Sequence, residues 1–273
     1  MKRVIASTAA VLVTTSVAAM PVQAASADPV TVLKRQLVAG KGVRFTDVTT
    51  LAEPTEKGTF LKRTGSLQFT RTGIAASDIS ARYTATRSGP VFSDLSRFLG
   101  SERTITVGGA SYHSGDVWRP PKGKSWIKNA FGKSVNGGVS GWYGQRVNAA
   151  EPATLKALIT SGKRVGRTYS GTIGYGRLER ISPWLRAVDP IGGDKDSVIR
   201  FRLTLGPDGL PQRLVTSHVV TAHLVETVDG GRKISVETRY TGWGSRVTVK
   251  APPASKVWIR KPYEPTIQGG DRG

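Results

Sequence analysis

Cysteine is absent from all 273 residues. Without thiols the chain forms no disulfide, builds no zinc–thiolate site and offers no cysteine for lipid attachment. No stretch reaches eighteen consecutive apolar residues, so no segment has the length a bilayer core requires. Acid is scarce: 19 Asp and Glu stand against 40 Lys and Arg, a formal charge of +21.

Catalytic patterns are missing too. The histidines are His113, His218 and His223, and the last two lack the spacing and the intervening glutamate of a helical zinc site. Gly123-Lys124-Ser125 and Gly132-Lys133-Ser134 imitate a phosphate loop, but Trp118 and Ile127 stand where its first glycine belongs. Gly138-Val139-Ser140-Gly141-Trp142 ends in tryptophan, where a strained nucleophile elbow needs glycine. Asp94, Glu102 and Asp116 could supply a carboxylate pair, but their spacing does not favour one. The expectation is a non-enzymatic protein with no cofactor and no metal.

What is present points to export. Lys2 and Arg3 precede an apolar or small stretch from Val4 to Val17, and Val22-Gln23-Ala24 and Ala25-Ser26-Ala27 follow as cleavage signals. The expected organisation is a signal peptide over 1–27, one domain over 28–260 and a disordered tail over 261–273. Removing 27 residues from 273 leaves 246, enough for a sizeable core. The basic excess attracts polyanions, such as an anionic membrane surface or a wall polymer. Its cations are dispersed and never run to five, which argues against a specific nucleic-acid site.

The hydrophobic pattern predicts an α+β domain. Val30, Leu33, Leu37 and Val38 repeat at helical spacing behind Pro29, with Gly40 to end the helix. From Val43 the period becomes two, as in Leu67 and Phe69, Ile79 to Tyr83, and Ile105 and Val107. Val91, Leu95, Phe98 and Leu99 suggest a covering helix, and Pro152 to Ile159 a second. Trp118 and Trp126 are placed on two short strands, 117–119 and 126–128, joined by a tight loop. Residues 131–148 are glycine-rich and read as an irregular loop. Strands are expected over 167–175, 198–205, 214–224, 233–240 and 246–250, with a short helix over 183–188.

Three stretches carry a resemblance. They are Tyr112 to Trp118 leading to Lys124-Ser125-Trp126-Ile127-Lys128, Leu205-Gly206-Pro207-Asp208-Gly209 through Leu214, and Tyr240-Thr241-Gly242-Trp243 through Pro253. With the order of elements from Pro29 to Val257, they resemble the actinobacterial LppX/LprG-type lipoproteins and their relatives of the LolA/RseB class. The resemblance implies a strongly curved antiparallel sheet, half a barrel, with helices over its concave face. It also implies a monomeric carrier or sensor of lipid or another apolar molecule, secreted or held at the cell envelope. The lipidated cysteine of that family is absent, which points to a free or wall-associated form. Leu67, Phe69, Tyr83, Ile173, Phe201 and Leu203 are then expected to line the cavity, and Val91, Leu95 and Phe98 to cover it. Trp118 and Trp126 are candidates for the same lining. The alternative is a basic scaffold module that holds wall polyanions around a packed core.

Overall fold

The computed structural model describes residues 27–52, 57–84, 100–128, 138–189, 195–219 and 233–260. Helix α1 (Pro29–Gln36) starts where the Asp28 carboxylate accepts the Val30 and Thr31 N–H groups and Pro29 needs no donor. Its apolar stripe buries Leu33 completely, worth about 1.5–3 kcal/mol. The chain then enters β1 (Lys41–Ala52), β2 (Lys57–Thr70), β3 (Gly73–Tyr83), β4 (Ser101–Val107), β5 (Ala110–Gly115) and β6 (Trp126–Lys128). Helices α2 (Ser140–Tyr143) and α3 (Pro152–Ser161) follow. After β7 (Lys163–Val165) and β8 (Thr168–Gly174) come α4 (Tyr175–Ile181) and α5 (Pro183–Val188). Strands β9 (Val198–Leu205), β10 (Pro211–Val219), β11 (Lys233–Arg246) and β12 (Val257–Ile259) complete the described chain.

The strands form one curved sheet in the order β12-β6-β5-β4-β3-β2-β1-β11-β10-β9-β8-β7. Its pairs are antiparallel except β12 with β6. Alternation is plain in β1, where Val43, Phe45, Asp47, Thr49 and Leu51 are buried inward and Arg44, Thr46 and Val48 are exposed outward. The main core lies between this inner face and the helices, with Leu33, Phe69, Leu155, Leu158, Leu185 and Leu203 among its members. The α+β half-barrel with helices on its concave face is therefore the observed architecture.

Several local expectations are corrected. Residues 117–119 are not a strand: Gly115 takes φ +110° and Trp118 N–H bonds back to its carbonyl, so the chain turns before the Pro120-Pro121 pair. Residues 247–250 are not a strand either. They cross the outer face, where Val247 and Val249 cover Ala76 and Ile105 and the Val249 N–H donates to Gln68. Helix α4 had no separate signal, because Tyr175 reads as the end of the preceding strand. The expected helix over 91–99, the end of the 214–224 strand and the tail over 261–273 lie outside the described residues.

Candidate binding cleft on the inner face

The inner face is not uniformly apolar. Between the main core and a second cluster around Leu51, Leu61 and Tyr83 runs a buried polar belt. Asp47 and Arg63 are cross-strand partners of β1 and β2, with side chains 1% and 0% exposed. Arg63 Nε donates to Asp47 Oδ2 at 3.0 Å, Nη2 donates to the same oxygen, and Nη1 reaches the Ser140 carbonyl at 3.3 Å. Thr238 Oγ1 donates to Asp47 Oδ1 at 2.7 Å. Gln145 extends the belt, giving Nε2–H to Thr238 Oγ1 and accepting from Thr216 Oγ1 at 2.8 Å.

This belt fastens residues 138–150 into the concavity. Val147, Ala149 and Ala150 are fully buried, and Glu102 accepts the Val139 and Ser140 N–H groups and Trp118 Nε1. Burial raises the Glu102 carboxyl above its usual range, against those three hydrogen bonds. Two glycines make the approach possible. A Cβ at Gly144 would collide with the Arg63 guanidinium, and Gly138 combines φ +54° with contact on Glu102. The glycine-rich stretch expected to be an irregular loop is thus, in its described part, a plug fitted against charged side chains.

The space left open lies at the hairpin end of the sheet. It is a cleft of about 660 Å³ between α1, the start of α3, the α4–α5 corner and the β2–β3 and β4–β5 turns. Leu37, Ile74, Ala76, Ile181 and Trp184 give it apolar walls. Glu151 is also on the wall but is engaged, accepting from Ser182 Oγ at 2.5 Å, Trp184 N at 2.7 Å and Thr154 Oγ1 at 2.8 Å. Lys34 and Arg71 are exposed on the lining, and neither meets a carboxylate within 4.0 Å among the described residues. Apolar walls bordered by two exposed cations suit a ligand with an apolar body and an acidic end.

The expected lining falls elsewhere. Leu67, Phe69, Ile173, Phe201 and Leu203 are 0–4% exposed in the packed core, because the plug and α3 fill the concavity over them. Leu67 does border a gap of about 10 Å³ beside Asp47 and Tyr240, the size of one water. Tyr83 packs edge-on to Phe60 in the second cluster, and its hydroxyl has no partner among the described residues. Trp118 stacks on His113 at 4.3 Å as its indole N–H holds Glu102. Trp126 faces the opposite way, joining Ile105, Val247 and Val249 on the outer face under Arg103. Val91, Leu95 and Phe98 lie outside the described residues, as do Asp94 and His223. Asp116 caps Ser101, so it and Glu102 hold backbone N–H groups.

Sequence reasoning missed Lys34, Arg71 and Ile74 as cleft residues. Hairpin tips and helix ends are legible, but which tip faces which helix is fixed by long-range packing. Among the described residues no group of three or more His, Asp or Glu side chains comes together, and no helix is long and apolar enough to cross a membrane.

No family model matches the chain, and no curated protein does. Among solved structures, the chain is similar to a LolA superfamily protein from Nitrosomonas europaea, at 8% identity over 78% of this chain and 90% of that one, with a TM-score of 0.30. A porin-like protein from Bacteroides uniformis aligns at 6% identity over 75% and 97%, TM-score 0.26. A domain of an outer membrane lipoprotein-sorting protein from Vibrio parahaemolyticus aligns at 9% identity over 78% and 89%, TM-score 0.28. Superpositions this distant carry no argument about family or ligand, so the functional reading rests on the cleft itself.

Proposed function

We propose that this protein is an exported, non-enzymatic binder of an apolar molecule with an acidic head, serving as a carrier or sensor at the cell envelope. The observation that carries the reading is the cleft of about 660 Å³, apolar on its walls and bordered by the exposed Lys34 and Arg71. That volume falls within the range of small-molecule sites, which combine apolar walls with a few polar groups that fix orientation. The resemblance to lipid-carrying lipoproteins favours the same reading, and the leader expected over 1–27 ends one residue before the Asp28 cap of α1.

The test uses palmitate and its neutral glycerol ester, monopalmitin, as probes. Lys34→Gln/Arg71→Gln is expected to weaken palmitate binding about tenfold, since two exposed charge contacts together contribute on the order of 1–2 kcal/mol. Monopalmitin binding should change little. Equal losses for both probes, or no palmitate binding by the unaltered protein, would contradict the acidic-head reading.

A further inference from the structure

The basic residues that look dispersed along the sequence are gathered by the strand register onto the outer face of the sheet. Lys62 and Arg82 are direct cross-strand partners, both exposed, and neither meets a carboxylate within 4.0 Å among the described residues. Arg200 and Arg202 project side by side from β9, two residues apart and exposed. Arg213 and Arg239 are a second cross-strand pair of like charges.

The acids on the outward positions of β1–β4 and β9–β11 are Asp78 and Glu237, and both are already engaged. Asp78 is held by Arg103 at 2.7 and 2.9 Å, and Glu237 by Arg213 at 2.6 Å and Arg239 at 2.8 Å. Like charges directly opposed on a sheet destabilise it. Neighbouring strands lie about 4.8 Å apart and same-face residues about 6.8 Å apart along a strand. Within each pair, Lys62 with Arg82 and Arg200 with Arg202, the cations therefore lie inside a Debye length of about 8 Å and repel each other.

We infer that this outer face is a docking surface for a flexible linear polyanion with repeating phosphate groups. Lys62, Arg200 and Arg202 form no ion pair among the described residues, and Arg82 lies near Asp116, whose carboxylate is already bound to Ser101. Three of these four cations are arginines, whose planar forks match phosphate oxygens. The shape selects among polyanions. The face is the outside of a strongly curved sheet, so a flat bilayer would touch it along one line, whereas a flexible chain can follow the curve. Among the described residues of β1–β4 and β9–β11, the exposed large apolar side chains of this face are the separate valines Val48, Val198 and Val219, which offer no contiguous patch for insertion into lipid. This site lies across the sheet from the cleft and does not depend on what the cleft binds.

The experiment measures binding of medium-chain inorganic polyphosphate to the full chain over a series of salt concentrations. Lys62→Gln/Arg82→Gln/Arg200→Gln/Arg202→Gln is compared with Arg35→Gln/Lys156→Gln/Arg177→Gln/Arg180→Gln, which removes equal charge from the helices over the concave face. The first variant should lose at least tenfold in affinity, and its log–log salt slope should fall by about 2–3, close to 0.7 per lost phosphate contact. Its melting temperature should be unchanged or higher, because a repulsive pair is gone. The second variant should stay within about threefold of the parent. Equal losses in the two variants would mean that net charge alone acts. Tighter binding of the parent to phosphatidylglycerol vesicles than to polyphosphate would make a membrane the partner. Either result overturns the proposal.

Discussion

Asp47→Ala is expected to destabilise the fold by about 3–5 kcal/mol, since it strands the Arg63 guanidinium in a dry interior. Arg63 is fully buried and, among the described residues, keeps the Ser140 carbonyl as its one acceptor once the carboxylate is gone. Typical stabilities are about 5–15 kcal/mol, so the loss removes a large share of the total. Thr238 Oγ1 loses its acceptor in the same change. The cost comes mainly from the unpaired charge, so Asp47→Val/Arg63→Met should recover part of it. Urea unfolding at neutral pH reads both variants. A single variant within about 1 kcal/mol of the parent would mean that the belt does not hold the plug.

Acidification should have the second large effect. Burial lowers His113 to about 4 and His218 to about 3, the latter with help from Arg146. The unfolded chain takes up protons near the ordinary pKa of about 6.5 while the folded chain stays neutral at both rings. Stability is therefore untouched by these groups above that value. As pH falls from about 6.5 towards 4, each histidine withdraws up to about 1.4 kcal/mol per pH unit. Burial raises Glu102 and Glu151, which works in the opposite direction. Those carboxyls take up protons at higher pH in the folded state than in the unfolded one, so they add stability as pH falls through their folded values. The net slope is thus smaller than the two histidines alone would give. Denaturant melts at about pH 7 and 5 should show a clear loss, flattened in His113→Gln/His218→Gln. Equal stability at the two values in the parent would contradict the buried-neutral assignment.

The strands were legible because their outward and inward positions alternate, and the helix over Pro29–Gln36 because Asp28, Pro29 and the leucine spacing agree. The Gly206–Gly209 turn between β9 and β10 was legible for the same local reason, with Gly209 at φ +79°. The site was not legible. A period-2 pattern marks a residue as inward only when it is apolar, and Asp47, Arg63, Thr104, His113 and Thr238 are polar residues on the inward face. They interrupt the pattern, so they read as loop or solvent-facing positions. Phe201 is buried on the inward face, whereas Ile105 faces outward under Val247 and Val249. Whether an inward residue meets ligand or its own chain depends on residues 138–150, whose glycines gave no sign that they fit against Arg63 and Glu102.

The side of Trp126 was decided by partners far along the chain. Strand β6 pairs with β12, and Val257 meets Trp126 in register across more than a hundred residues of sequence. Local periodicity carries no information about such a pair. The charge shows the same limit: a count gave the excess, and the register decided that Lys62 and Arg82 stand opposite one another.

The cleft is tested most directly by Ala153→Trp, followed by palmitate binding and thermal melting on the same samples. Ala153 is exposed on the cleft wall at the start of α3, so an indole there occupies open volume without displacing core side chains. Exposed substitutions of this kind usually stay within about 0.5 kcal/mol, a shift of roughly 1–2 °C for a domain of this size. The expected result is a melting temperature within that margin together with a loss of palmitate affinity of at least tenfold. Palmitate binding retained at full strength beside a tryptophan in the cleft would place the ligand elsewhere and contradict the assignment.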